Sequence, residues 1–223
     1  MDATPALDDA AVLWSADAHE RAGRPLLVLL HGYGSDERDL FSLVPYLPDA
    51  FVVAAVRAPL TPPWPAPGHS WYPIEGLDGR SSERVTEAAA RLIEWLDEHT
   101  DAAATGLLGF SQGGAVSLQA MRLAPERFAF AVNLSGYAAP GPLAGDAALV
   151  ARKPPVFWGR GSRDDVIPEA LVAHTVSWLP DHATLSGALY PGLTHSVSEP
   201  ELADVRTFLE KQRAKLAESP HPG

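Results

Sequence analysis

The chain contains no cysteine among its 223 residues. Disulfide bridges, zinc–thiolate sites and a cysteine nucleophile are therefore excluded. Basic residues are also scarce: 17 lysines and arginines stand against 28 aspartates and glutamates, and the formal net charge is −11. Such an acidic surface repels phosphate backbones and gains no attraction to anionic lipids, so we expect no nucleic-acid partner.

Long hydrophobic runs are absent as well. The longest purely apolar stretch, residues 50–56, is far shorter than the roughly 18 residues needed to span a bilayer. Residues 1–24 carry four aspartates and lack the basic and apolar regions of a secretory signal. We therefore expect no stable membrane insertion and a cytoplasmic location.

Short apolar runs alternate with helix-like segments along the chain. The run LLVLL at 26–30 is continuous rather than alternating, which is typical of a strand covered on both faces. Further strands are predicted at 51–56, 106–110, 128–134, 155–158 and 184–190, and an antiparallel edge strand at 12–16. Helices are predicted at 82–99, 114–123 and 169–178, and from Ser198 onward.

This alternation predicts an α/β fold with a mainly parallel central sheet covered by helices on both faces. We expect residues 1–217 to form a single domain with no large lid domain, and residues 218–223 to form a disordered tail. The proline- and aromatic-rich segment 58–80 and the Ala/Gly/Pro-rich segment 138–155 are predicted to be loops.

Residues 109–115 read GFSQGGA and contain the pattern G-x-S-x-G between a predicted strand and a predicted helix. This context is that of a nucleophile elbow, a turn so tight that glycines must flank the serine. Ser111 is therefore the predicted nucleophile, and the backbone N–H of Gln112 is predicted to face a developing oxyanion. A plain glycine-rich turn is the alternative, so the assignment depends on partners elsewhere.

A serine hydroxyl is a weak nucleophile and needs a base, which an acid must orient. Of the eight histidines, His195 lies in the loop between the last predicted strand and the last helix and follows the serine in chain order. It is the predicted base. His31 precedes the serine, so we predict a structural role for it.

The acid is expected between the serine and the base, at the end of a strand. Asp164 and Asp165 both follow the predicted strand at 155–158, and spacing to Pro168 favours Asp164. The other aspartate is predicted to cap a helix or to face solvent. A second oxyanion donor is predicted in the segment HGYG at 31–34, where we assign the backbone N–H of Tyr33.

Together these motifs resemble the phospholipase/carboxylesterase group of α/β-hydrolases, which includes bacterial carboxylesterases and acyl-protein thioesterases. The resemblance spans nearly the whole chain, through LHGYGSD at 30–36, RAP at 57–59, SWY at 70–72, GFSQGGA at 109–115 and the loops around Asp164 and His195. It implies an α/β-hydrolase fold, with Ser111, His195 and Asp164 as the triad and Tyr33 and Gln112 as oxyanion donors.

The acid loop departs from the family pattern. The residues RGS at 160–162 stand where the family often has His-Gly-Asp, and Asp165 replaces a common proline. The choice between Asp164 and Asp165 therefore stays open at the level of the sequence.

The resemblance implies a carboxylesterase. Because no long insertion is predicted that could serve as a lid, we expect its substrates to be short- to medium-chain acyl esters of small molecules. The carboxylates are not spaced as a ligand cluster, so we expect no metal or organic cofactor. Acyl-protein thioesterase or lysophospholipase activity is an alternative, and a non-catalytic binding protein of the same fold is another. The aromatic residues Trp64, Trp71 and Tyr72 either line an acyl pocket or anchor their loop to the core. The resemblance is also compatible with a homodimer, although no stretch of the chain requires one.

Overall fold

The computed structural model describes residues 4–74, 80–100, 102 and 104–218. Within these ranges eight strands form one sheet: β1 (Leu13–Trp14), β2 (Leu26–Leu30), β3 (Val52–Val56), β4 (Thr105–Phe110), β5 (Phe128–Leu134), β6 (Pro155–Gly161), β7 (Thr184–Ser186) and β8 (Leu189–Tyr190). Their order is β1-β3-β2-β4-β5-β6-β7, and β8 pairs with β6. Only the pairing of β1 with β3 is antiparallel among these strands.

The central strands are built from aliphatic side chains that are buried on both faces of the sheet. All residues of β2 and β3 are buried, as expected for strands between two layers of helices. β2 pairs with β4 up to Leu30 and Gly109, and β4 pairs with β5 up to Phe110 and Leu134. The residues that follow these strands therefore meet at one carboxyl edge, where ligands of such sheets bind.

Six α-helices accompany the sheet in the described ranges: α1 (Glu37–Phe41), α2 (Ser82–His99), α3 (Gln112–Leu123), α4 (Asp146–Arg152), α5 (Glu169–His182) and α6 (Glu199–Glu218). On one face α2, α3 and α5 contribute Leu92, Val116 and Leu179 to one apolar cluster. On the other face α1 and α6 contribute Leu40 and Phe208 to a second cluster. The predicted α/β architecture, mainly parallel with helices on both faces, is confirmed.

Three element predictions need correction. The strand predicted at 184–190 is two short strands, because Gly187 between them has a φ of 129° and a Cβ on it would lie 2.0 Å from the Trp158 carbonyl oxygen. The loop predicted at 138–155 contains α4, whose Asp146 binds Arg122 of α3, a contact that local composition does not reveal. Helix α5 runs past Trp178 to His182 with a proline in its last turn, although proline usually ends a helical pattern.

Helix α1 has no counterpart among the predicted helices, whereas α2, α3 and α6 lie close to their predicted positions. Helix α2 has the predicted bounds and is capped by Ser81, whose side chain accepts from the N–H of Arg84. The first part of the predicted loop 58–80 holds neither helix nor strand up to residue 74, and residues 75–79 lie outside the described residues. The predicted tail lies outside them as well from residue 219 onward. In the part of the chain that the structure describes, no helix is long and apolar enough to cross a membrane.

Candidate active site

Ser111 occupies a strained turn between β4 and α3. Its φ is 54° and its ψ is −114°, a left-handed conformation that non-glycine residues rarely adopt. The turn is closed so tightly that a Cβ on Gly109 would lie 2.2 Å from the Gly113 backbone, and a Cβ on Gly113 would lie 1.9 Å from the Leu30 carbonyl oxygen. Only glycine fits at both positions, which is the geometry expected of a nucleophile elbow.

His195 connects this serine to an acid. Its Nε2 lies 2.8 Å from Ser111 Oγ, and its Nδ1 lies 2.9 Å from Asp164 Oδ2. A carboxylate only accepts hydrogen bonds, so the imidazole proton is on Nδ1 and the lone pair of Nε2 faces the serine hydroxyl. The phenyl ring of Phe110 lies beside the imidazole, with 4.9 Å between ring centroids.

Asp164 is held in the ionised form that this arrangement requires. The residue is buried, and its Oδ1 accepts from the N–H of Val166 at 3.1 Å. Burial alone raises the pKa of Asp164, but hydrogen bonding and charge attraction from His195, together with the Val166 N–H, outweigh it and hold the pKa below its usual range. Asp165 is exposed, so the structure brings Asp164 rather than its neighbour to the histidine.

The backbone N–H groups of Tyr33 and Gln112 are the predicted oxyanion donors. Gln112 is the first residue of α3, where backbone N–H groups have no partner within the helix. Gly32 places the Tyr33 segment beside the nucleophile, since a Cβ on Gly32 would lie 3.5 Å from Ser111 Cβ. Both donors therefore belong to segments that flank the serine.

His31 holds the oxyanion loop from within. Its Nε2 accepts from the N–H of Ala58 at 3.0 Å, so the ring proton is on Nδ1, which donates to the Gly32 carbonyl at 2.7 Å. Its own carbonyl accepts from the Trp71 indole at 2.9 Å. Burial lowers the pKa of His31, so the ring is neutral and serves the loop rather than the reaction.

The side chain of Gln112 pins the aromatic loop against the elbow. Its Oε1 accepts from the Trp71 N–H at 3.0 Å and from the Ser70 hydroxyl at 3.3 Å, and its Nε2 donates to the Tyr72 carbonyl at 2.8 Å. Trp71 and Tyr72 are fully buried, whereas Trp64 is 92% exposed. The Tyr72 hydroxyl also bonds that of Tyr137 at 2.8 Å. This geometry favours anchoring over pocket-lining for Trp71 and Tyr72.

For several residues of the site, no sequence motif predicts the role that the structure shows. The sequence predicts a role for the Gln112 backbone N–H but none for its side chain. The contact between the Phe110 ring and His195 is not predicted by the motif that contains Phe110. Glu37 of α1 forms a bidentate ion pair with Arg57, and hydrogen bonds from that guanidinium lower the pKa of Glu37 to about 2. The pair joins α1 to the end of β3 near the oxyanion loop.

Comparison with known proteins identifies the family of this chain independently of the site geometry. The family model described as Phospholipase/Carboxylesterase matches residues 12–213. Acyl-protein thioesterase 1 of Debaryomyces hansenii is 26% identical over 222 residues, which cover 86% of this chain and 93% of that protein. Acyl-protein thioesterase 1 of Saccharomyces cerevisiae is 32% identical over 107 residues, 46% of this chain and 47% of the relative. The match therefore spans about half the length of the Saccharomyces cerevisiae protein.

Among solved structures, the crystal structure of esterase PE8 is similar with a TM-score of 0.68 at 27% identity, covering 85% of this chain and 93% of the other.

Proposed function

Because the chain belongs to the phospholipase/carboxylesterase family of α/β-hydrolases, we propose that it is a serine carboxylic-ester hydrolase. Ser111 is the nucleophile, His195 the general base and Asp164 the orienting acid. The observation that carries the proposal is the pair of contacts made by one imidazole, 2.8 Å to the serine hydroxyl and 2.9 Å to the carboxylate.

The reaction follows from these contacts. As Ser111 Oγ attacks the ester carbonyl carbon, its proton passes to His195 Nε2, and Asp164 stabilises the imidazolium that results. The carbonyl oxygen becomes an oxyanion, which accepts hydrogen bonds from the Tyr33 and Gln112 N–H groups. His195 then returns the proton to the leaving alcohol, and an acyl-enzyme on Ser111 remains.

Water completes the cycle by the same route. His195 Nε2 takes a proton from the incoming water, whose oxygen attacks the acyl carbon, and a second tetrahedral intermediate forms on the same two donors. Collapse of that intermediate breaks the bond to Ser111 Oγ, which regains its proton from the imidazolium. A carboxylic acid leaves, and the triad is restored.

For the substrate, we propose small-molecule esters with short or medium acyl chains. Between β3 and α2 the described residues contain no helix or strand that could form a lid, and the aromatic loop there is anchored by Gln112. Trp64 at the exposed tip of that loop is the aromatic residue we retain as a substrate contact. Acyl-protein thioesterase activity is the second candidate, because the relatives from Debaryomyces hansenii and Saccharomyces cerevisiae bear that name.

Labelling with a fluorophosphonate tests the chemistry. We expect a covalent adduct on Ser111 in the wild-type protein and none in Ser111→Ala. A protein that is folded by circular dichroism but takes no label would leave the non-catalytic binding protein as the better description.

A substrate panel separates the two enzymatic candidates. Hydrolysis of p-nitrophenyl esters from acetate to palmitate is compared with hydrolysis of S-acylated peptides at equal concentration. We expect kcat/KM to be highest for short or medium esters; a preference for the acylated peptides would favour the thioesterase instead.

A further inference from the structure

Ser135, the residue that follows β5, has a backbone conformation that its residue type does not favour. Its φ is 50°, in the left-handed region where a side chain costs about 1 kcal/mol or more. The next residue is Gly136, which would take this conformation without strain. A serine held at φ 50° one position before a glycine indicates that its side chain is needed there.

The backbone of this turn ties the nucleophile strand to the acid strand. The N–H of Ser135 donates to the Gly159 carbonyl of β6 at 2.8 Å, and the carbonyl of the preceding Leu134 accepts from the Ser111 N–H at 2.8 Å. Ser135 therefore lies between the elbow and the strand that leads to Asp164, at the carboxyl edge of the sheet.

The hydroxyl of Ser135 is buried and lacks a hydrogen bond of ordinary geometry to any described residue. Only 2% of the residue is exposed, and its Oγ is an unpartnered buried atom. Leaving a buried hydroxyl without a partner is unfavourable, so a nearby acceptor is expected to use it. The Asp164 carboxylate is such an acceptor: the Ser135 hydroxyl is among the groups that lower its pKa.

Asp164 has room for this third donor. His195 Nδ1 occupies one site on Oδ2, and the Val166 N–H occupies one on Oδ1. A carboxylate offers about four lone-pair sites in all. As the imidazolium of His195 forms, the Asp164 carboxylate balances its positive charge. A donor that holds this carboxylate in place then becomes more important.

We propose that Ser135 is a positioning residue of the triad, whose hydroxyl donates to the Asp164 carboxylate and holds it toward His195 during acyl transfer. The proposal rests on the proposed function, because it acts only through the triad. It explains why the chain keeps a serine in a left-handed turn where glycine would suffice for the backbone.

Two variants separate the hydroxyl from the backbone strain. Ser135→Ala removes the hydroxyl and keeps the strain, whereas Ser135→Gly removes both and relieves the turn. For both variants we expect kcat on a p-nitrophenyl ester to fall at least about tenfold with KM unchanged, the size expected for one hydrogen bond to a charged group. Ser117→Ala is the matched control, since it removes another buried hydroxyl, one that donates to Gly113 within α3.

The pH profile distinguishes positioning from folding. Without the hydroxyl, the Asp164 carboxylate is held less firmly toward His195 and stabilises the imidazolium less, so the acidic limb of kcat/KM should move to lower pH in both Ser135 variants. The NMR signal of the His195 Nδ1 proton should shift as well. Ser117→Ala should change stability while leaving the acidic limb in place.

Several outcomes would overturn the proposed role of the Ser135 hydroxyl. Unchanged kcat and an unmoved acidic limb in both variants overturn the role of the hydroxyl, and so does a limb that moves to higher pH. A loss confined to Ser135→Ala overturns it too, because it would report strain alone. Fluorophosphonate labelling of the wild-type protein is measured alongside: its absence would end the proposed function, whereas normal labelling with unaffected Ser135 variants would end only this inference.

Discussion

Single residues of the site differ in function according to the hydrogen bonds that surround them. Asp164 and Asp165 are chemically identical neighbours, yet one is buried against His195 and the other faces solvent. His195 and His31 have the same side chain, but both ring nitrogens of His31 are engaged by backbone groups, a carbonyl in its own loop and an N–H after β3. Burial and partners, rather than residue type, assign these roles.

The aspartate pair offers a direct test at this scale. In Asp164→Asn, the amide can donate to His195 and favour the wrong tautomer, so we expect kcat to fall by about 10³- to 10⁴-fold. Asp165→Asn changes the same group one residue away and should retain nearly full activity. Steady-state kinetics on one ester gives both values; a larger loss in Asp165→Asn would reverse the assignment.

The buried imidazole of His31 makes stability depend on pH. Its folded pKa lies below the ordinary value of 6.5, chiefly because of burial, so the unfolded chain binds the proton more readily. The stability contribution of the neutral ring is thus present above pH 6.5 and lost as the pH falls. We expect the free energy of unfolding of wild type to decline relative to that of His31→Asn between pH 7 and pH 5, measured by urea titration. Parallel curves would contradict the structural role.

Among the elements, the junction of α3 with the aromatic loop depends on one side chain. Gln112 makes three buried hydrogen bonds to the loop, two through Oε1 and one through Nε2. Its backbone N–H, the proposed oxyanion donor, is independent of the side chain. The backbone N–H of Gln112 is therefore proposed to act in the reaction, whereas its side-chain amide anchors the aromatic loop.

Removal of that amide should cost stability. We expect Gln112→Ala to lower the free energy of unfolding by about 2–4 kcal/mol, because buried backbone groups of the loop lose their partners. Trp64→Ala, at the exposed tip of the same loop, should change it by less than about 0.5 kcal/mol. Urea denaturation of both variants measures the contrast, and equal effects would mean that the amide does not anchor the loop.

At the scale of the whole molecule, the packing of α6 on the sheet encloses an acid. Glu201, in the first turn of α6, is fully buried, and neither carboxyl oxygen has a hydrogen bond of ordinary geometry to a described residue. A Cβ on Gly159 of β6 would lie 2.3 Å from Glu201 Oε1, so the glycine makes space for the carboxyl. Burial, together with the charge of Asp204, raises the pKa of Glu201 to about 7.

This acid should weaken the fold as the pH rises from acidic to neutral. The folded pKa of about 7 exceeds the unfolded value of 4.5, so the contribution is fully present below pH 4.5 and is lost as the pH rises through 7. Glu201→Gln keeps the shape without the charge, and we expect its stability advantage over wild type to grow between pH 4.5 and pH 7, by about 3 kcal/mol at most. Thermal or urea unfolding at several pH values measures the difference. A constant difference across this range would contradict burial of the acid.

Local patterns predicted much of this molecule. Continuous aliphatic runs are sufficient to identify the central strands, because a strand between two helical layers exposes neither face. The glycines around Ser111 predict the elbow, because a Cβ at either position would enter neighbouring backbone. The predictions fail at 184–190 and 138–155, where a close backbone approach and a distant ion pair decide the structure.

Order along the chain therefore suffices to identify the strands, the elbow motif and the candidate nucleophile, since each is marked by a pattern within a few consecutive residues. The choice between two adjacent aspartates, the tautomer of His31, the anchoring of Trp71 and the burial of Glu201 depend on contacts across 27 to 41 positions or more. Such contacts exist only after the strands align and the helices pack. Electrostatics and hydrogen bonding there depend on distance in space, which sequence separation does not specify.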